Sequence, residues 1–222
     1  MTTAEPVRLE GFHAVKHALR FAPDLVVSVR VADRDAAAAL ARDLAPDVAE
    51  ALLDRAEVGP VEHPTGVEGT ATRPAYDGGV LLARTAPLVL LDGVRHPGNA
   101  GAAVRVAAAA GASGVAVHGA LDPWHPAVVR GSAGLHFALP VLRCSPADVT
   151  GPVVVLDADG EDWSGLPHDA VLVVGSERHG VGDEARARAD AVVALPMRAG
   201  VSSLNLATAV AAALYAWRLP AP

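Results

Sequence analysis

One cysteine in 222 residues, Cys144, excludes an intrachain disulfide and points to a reducing compartment such as the cytoplasm. Aromatic residues make up only 4% of the chain, so recognition of nucleic-acid bases by stacking has little material to use. No uninterrupted apolar run approaches the ~20 residues a membrane helix needs. The opening MTTAEPVRLE lacks the basic-then-apolar pattern of a signal peptide. Positive charge is scarce: 18 Lys and Arg face 25 Asp and Glu, a net charge of -7. That argues against a general polyanion binder but leaves room for a local basic patch. Gly-rich dinucleotide and phosphate-loop signatures are absent, which argues against NAD and nucleoside triphosphate enzymes. Gln is missing altogether, Lys occurs once, and Asn occurs only at Asn99 and Asn205.

What is present describes a globular protein, 51% hydrophobic and 19% charged, long enough for one large domain or two small ones. Residues 1–85 read as a small α/β unit. EGFHAVKHALRFAP is a helix stopped at Pro23, LVVSVRV a strand, and DRDAAAALARDL a helix capped by Asp33. A further helix follows Pro46, and HPTGVEGTATRP is rich in turns with weak strand character.

From residue 86 the rhythm changes to strand and helix in alternation. LVLLD, GVAVHG, ALPVLRC, PVVVLDAD, AVLVVG and AVVALP are apolar strands; AGAAVRVAAAAG, PWHPAVVRGSAG and SSLNLATAVAAALYAWRL supply helices. Continuous apolar strands between helices predict an α/β fold with a parallel sheet covered on both faces. Leu206, Val210, Leu214 and Trp217 lie on one stripe of the last helix, which suits either a core or a subunit interface.

Ligands of such sheets sit beyond the carboxyl ends of the strands, and three of those ends carry unusual residues. In LDGVRHPGNAGAAVR, Gly101 and Arg105 share a helix face; the glycine admits another backbone or a ligand, and Arg105 brings a permanent cation. In VVGSERHG, two glycines frame Glu177 in a sharp turn. In LPMRAGVSSLNLATA, Ser202 or Ser203 can cap the helix, with Asn205 following in its first turn. Taken singly, a surface ion pair, a solvated loop carboxylate and an ordinary helix cap account for these residues.

Together they resemble something known. N-x-G-x-x-x-R (Asn99, Gly101, Arg105), G-x-E-x-x-G (Gly175, Glu177, Gly180) and S-L-N (Ser203, Leu204, Asn205) are similar in order and spacing to the three motifs of the SPOUT methyltransferases. The SpoU/TrmH branch, which methylates ribose 2′-hydroxyls of RNA, is the best match over residues 86 to 218. Both asparagines of the chain fall inside these motifs. The first eighty residues bear a looser likeness to the small RNA-binding domain that often precedes that catalytic domain.

The resemblance implies a deep trefoil knot at the C-terminal end of the 86–222 domain, a feature generic α/β reasoning would not supply. It implies S-adenosyl-L-methionine as cofactor, held around Gly175, Leu195, Met197, Ser203 and Leu204. It implies a catalytic group of Arg105, Asn99, Glu177, Ser203 and Asn205, with Asn99 and Glu177 orienting Arg105. A guanidinium is a poor base, so phosphate binding and alkoxide stabilisation suit Arg105 better than proton abstraction. The implied partners are RNA (tRNA or rRNA) and a second copy of the chain in a homodimer, with no metal and no membrane. The acidic balance of residues 1–85, nine Arg and Lys against thirteen Asp and Glu, is unexpected for an RNA-binding unit. Either Arg8, Lys16, Arg20 and Arg73 cluster on one face, or RNA contact is mainly through the catalytic domain, or the substrate is small or presented by a partner.

Two rival readings stay open at this level. VVVLDADGEDW places Asp157 and Asp159 after a strand, as in magnesium-dependent phosphatases, although Glu161 follows Gly160 where that pattern has Thr. A catalytically silent RNA-binding protein on the same fold is the other. His13 and His17 are four apart on a helix, but no neighbouring Glu completes a zinc pattern, so a surface or RNA-facing role fits them better.

Overall fold

The protein is described by a computed structural model covering residues 5–76, 78–82 and 84–219. Residues 1–4 and 220–222, the outer ends of the two expected units, lie outside the described residues. Among the described residues, ten strands form two sheets.

The first sheet is mixed, with strand order β1 (Pro6–Glu10), β4 (Val67–Thr72), β2 (Val26–Val31), β3 (Ala56–Val58). β4 runs antiparallel to both β1 and β2, while β3 adds parallel to β2. The turn-rich HPTGVEGTATRP segment therefore supplies a central strand. β1 alternates buried Val7 and Leu9 with polar neighbours but is only five residues long, and three-residue β3 has a single buried residue, so pairing with neighbours makes them strands. Three helices pack against this sheet: α1 (Phe12–Phe21), α2 (Arg34–Ala41) and α3 (Pro46–Arg55). Asp33 caps α2 by accepting from the Asp35 amide (2.9 Å), and Pro46 opens α3.

The second sheet is parallel throughout, in the order β10 (Ala191–Ala194), β8 (Val153–Asp162), β9 (Val171–Gly175), β5 (Leu88–Asp92), β6 (Gly114–His118), β7 (Val141–Arg143). Every residue of β5 is buried, which is why LVLLD reads as an unbroken apolar run. Val89, Leu91, Leu172 and Val174 face α4 (Pro97–Ala110), α5 (Pro126–Gly131) and α7 (Leu206–Arg218). Leu88, Leu90, Val171 and Val173 face the opposite side, covered by short helical turns at 78–81 and 146–148 and by α6 (Asp183–Arg186). Leu206, Val210 and Leu214 of α7 are fully buried against α4 within the one chain, so the stripe is core. Trp217 is half-buried and donates through Nε1 to His168 (3.2 Å).

Gly101 has a packing role. A Cβ there would fall 2.5 Å from the Val128 carbonyl and 2.8 Å from Gly131 Cα, so α4 and α5 can touch only because both positions lack side chains. The first unit docks on the same region. Arg130 of α5 pairs with Glu10 (2.8 Å), and His17 Nδ1 donates to the Ala133 carbonyl (2.7 Å). No helix of the described residues is long and apolar enough to cross a membrane.

The basic residues of the first unit are not gathered on one face. Arg8 faces Glu10, Glu62 and Glu68, Arg20 pairs with Asp47, and Arg73 pairs with Glu5. Arg8 and Arg73 border one cleft, Lys16 and Arg20 another.

Candidate active site

Three loops meet at the carboxyl ends of β5, β8, β9 and β10. The loop after β9 is closed on itself: Ser176 and Gly180 exchange both backbone hydrogen bonds (3.0 and 2.9 Å). Gly180 adopts φ +64, and a Cβ on Gly175 would lie 2.0 Å from the Gly180 carbonyl carbon. The G-x-E-x-x-G frame is therefore what lets the strand turn back on itself and present Glu177 outward.

Glu177 is exposed but not free. It accepts a hydrogen bond from the Asn99 side-chain amide, and Asn99 Oδ1 in turn accepts from Asn205 Nδ2 (3.1 Å). Asn205 is the N-cap of α7, its Oδ1 accepting from the amides of Ala207 (3.0 Å) and Thr208 (3.4 Å). The expected cap by Ser202 or Ser203 is thus corrected: the helix begins at Leu206, and both serines lie in the exposed loop before it. The amide divides the two tasks between separate atoms, Oδ1 accepting at the helix terminus and Nδ2 donating to Asn99.

Beside this relay opens a cleft with about 760 Å³ of empty space, part of it open to solvent. Gly175, Leu195, Met197, Ser203 and Leu204 all line it, together with Glu177 and the strand-end residues Leu156, Asp157 and Ala158. Its walls are mainly apolar, with a few polar groups pointing inward, the usual make-up of a small-molecule site.

Arg105 stands apart. It is exposed on α4, six residues beyond Asn99, and has no hydrogen-bond or ion-pair partner among the described residues. The expectation that Asn99 and Glu177 orient Arg105 is corrected for the single chain: they bond to each other and to Asn205 instead. The physical reason is helical phase, since six residues place two side chains about 120° apart around the axis. Arg105 faces α1, where partial burial first, then Lys16 and Arg105, hold the His13 imidazole below its usual range.

Two acidic residues complete the region. Asp92, at the end of β5 and 5% exposed, accepts from His118 Nδ1 (2.7 Å) and from the Gly182 amide (2.6 Å), tying the end of the Glu177 loop to the sheet. Asp157 of the D-x-D pair is bound to Arg186, and its Oδ1 accepts from the Asp159 amide (3.2 Å). Burial opposes ionisation of Asp157, but these backbone and guanidinium donors prevail and keep its carboxyl below the usual range. Among the described residues no group of three or more His, Cys, Asp or Glu is placed to hold a metal. Sequence reasoning gave Asp92 no role and considered Asp157 only as part of a rival phosphatase pattern. The signal was available, since both are carboxylates closing an apolar strand of a parallel sheet.

The fold and the cleft define an α/β protein that receives a ligand beyond the carboxyl edge of a parallel sheet, between a glycine-framed loop and the start of the last helix. The chain belongs to the SpoU rRNA Methylase family, whose sequence profile matches residues 86–215. It is similar to the 23S rRNA (uridine(2479)-2′-O)-methyltransferase of Streptomyces viridochromogenes, with 34% identity over 78% of this chain and 64% of that one. It is also 28% identical to the 23S rRNA (guanosine(2553)-2′-O)-methyltransferase RlmP of Bacillus subtilis, over 93% of this chain and 86% of that one. Other relatives are matched over about half their length, 52% for the 23S rRNA (adenosine(1067)-2′-O)-methyltransferase of Streptomyces laurentii. Among solved structures, the SpoU methyltransferase AviRb of Streptomyces viridochromogenes in complex with AdoMet superposes with a TM-score of 0.75 at 28% identity. The match covers 95% of this chain and 88% of that one.

Proposed function

We propose that this protein transfers the methyl group of S-adenosyl-L-methionine to a ribose 2′-hydroxyl of RNA. The observation that carries the reading is the Asn205–Asn99–Glu177 relay, built from three distant segments, on the rim of a cleft lined by Gly175, Leu195, Met197, Ser203 and Leu204. The 23S rRNA substrates of its relatives make ribosomal RNA the first substrate to test, ahead of tRNA.

The cleft fits such a donor. Leu195, Met197 and Leu204 offer an apolar wall for a purine, while Asp157, Glu177, Ser176 and Ser203 offer polar contacts to the remainder. When bound, the donor supplies a methyl group activated by a sulfonium. The protein's own part is placement: holding the hydroxyl in line with the methyl carbon contributes on the order of 7 kcal/mol or more where geometry is good. The relay fixes the loop bearing Glu177 and the start of α7, and with them two walls of the cleft. Ser203 and Asn205 shape its mouth.

Arg105 binds the RNA phosphate next to the target and stabilises the developing alkoxide. Its distance from the relay within one chain supports a homodimer, in which Arg105 of one protomer serves the cleft of its partner. Exposed Val201, Leu204, Tyr215 and Leu219, around the start and end of α7, offer apolar surface for that contact. The deep trefoil knot belongs to the same reading, supported by the closed 176–182 loop, the 195–205 loop beside it and the burial of α7. So do an RNA-contacting role for residues 1–85 and a cytoplasmic setting.

The test is methyl transfer from labelled S-adenosylmethionine to ribosomal RNA, followed by mapping of 2′-O-methyl groups with and without the gene. Transfer to a single ribose is expected. Failure to bind S-adenosylmethionine by calorimetry would instead favour a silent RNA-binding protein on this fold.

A further inference from the structure

The D-x-D segment of β8 belongs to none of the three motifs, and half of it lies inside the cleft. Asp157 lines the cavity with Gly175, Ser176 and Glu177, whereas Asp159 is exposed and outside it. β8 and β9 run parallel with Leu156 opposite Val174, which sets Asp157 beside Gly175 at the same edge of the sheet. The Asp157 Oδ2 would lie 3.8 Å from a Cβ on Gly180, so its carboxylate sits against the glycine-framed loop. Its side chain is 18% exposed, and that exposure is toward the cleft it lines.

Two carboxylates enter this cavity, and one is spoken for: Glu177 accepts from Asn99. Asp157 is the other. Its bond to Arg186 and to the Asp159 amide fixes the carboxylate in place and offsets its charge, which makes it a weak partner for a cation. A carboxylate has about four lone-pair positions, so acceptor capacity is left over for hydroxyl donors. Hydroxyl-to-carboxylate bonds are short and charge-assisted. An acidic side chain at a strand end that holds ribose hydroxyls recurs in nucleoside-binding α/β sheets for the same geometric reason.

We infer that Asp157 is a donor-binding residue whose carboxylate accepts the ribose hydroxyls of the methyl donor. The inference rests on the proposed reading of the cleft as the S-adenosylmethionine site. It gives Arg186 a supporting task, to hold Asp157 ionised and aimed.

Calorimetry on the full chain tests this with three probes: S-adenosylmethionine, S-adenosylhomocysteine and the 2′-deoxyadenosyl form of the latter. In Asp157→Ala both natural compounds should lose affinity by roughly 10- to 100-fold, the span set by a hydrogen bond to a charged group. The 2′-deoxy compound, which keeps only the 3′-hydroxyl, should bind wild type more weakly than S-adenosylhomocysteine and lose less affinity on the substitution. Asp157→Asn, which preserves volume, should show the same pattern at smaller amplitude and carries the test if the alanine variant unfolds. Unchanged affinities overturn the inference. So does a loss confined to S-adenosylmethionine, which would mean a contact to the sulfonium, or an equal loss for the 2′-deoxy compound. If wild type binds none of the three, the donor reading of the cleft itself is overturned.

Discussion

The side chain of Asn205 donates to that of Asn99 across 106 residues of sequence, at 3.1 Å, while capping the last helix of the protein. One amide thus serves a helix terminus and the proposed reaction centre together. Asn205→Ala should cost about 1 kcal/mol or more of stability through the lost cap. Asn205→Asp should keep the cap and therefore most of the stability, yet lower methyl transfer, because its carboxylate cannot donate to Asn99. Thermal unfolding and turnover measured on the two variants separate the roles. Equal stability loss in both would show that the cap is not what Asn205 provides.

Arg105→Lys keeps the positive charge but not the planar fork. Because Arg105 is exposed and unpartnered in the chain, folding stability should change by less than about 0.5 kcal/mol. Turnover should fall by roughly 100-fold or more, as for loss of a transition-state charge contact. Near-normal turnover would remove Arg105 from the mechanism.

Replacing Asp92 by Ala removes the charged acceptor of both the Gly182 amide and His118, a loss of about 1 to 3 kcal/mol. The looser loop should raise the dissociation constant for S-adenosylmethionine and speed hydrogen exchange at residues 176–182. Exchange rates unchanged there would mean that Asp92 does not anchor the loop.

Gly101→Ala inserts a methyl group where the Val128 carbonyl stands 2.5 Å away. Overpacking of about 1 to 3 kcal/mol should follow, read as a lower midpoint in urea. A midpoint as high as wild type would place the role of Gly101 elsewhere.

His136 is buried between Ser132 and the Pro123 carbonyl, and burial above all pushes its pKa down to about 4. In the unfolded chain it titrates near 6.5. Below that value the unfolded state takes up a proton that the folded state refuses. The protein should therefore lose stability as pH falls from about 6.5 toward 4, by on the order of 3 kcal/mol in all from this residue. Denaturation curves at pH 7.5 and 5 should show the drop, and His136→Met should flatten it.

Strands β5, β6 and β9 were legible because, apart from the terminal Asp92 and His118, their residues are apolar or small, and turn residues bound them. β1 and β3 were not: the alternation of Val7 and Leu9 in β1 spans only five residues beside a helix, and β3 is three residues defined by its pairing with β2. The grouping of Asn99, Glu177 and Asn205 could be read from motif order together with the rule that ligands gather at strand ends. What escaped was connectivity. That Asn205 caps the helix, and that Arg105 turns toward α1, depend on helical phase and on where α7 starts to within one residue. Boundaries of that kind are set by tertiary contacts. Asp157 drew attention for the wrong reason: its acidic pattern suggested a metal, whereas Arg186, 29 residues on, supplies the countercharge.

The double duty of Asn205 makes maturation of this protein all-or-none. A chain whose terminal helix has not docked lacks not only part of its core but also the last strut of the relay, so half-finished molecules are silent rather than careless. On the proposed reading, RNA is thereby spared stray marks from polypeptides still on their way to the folded state.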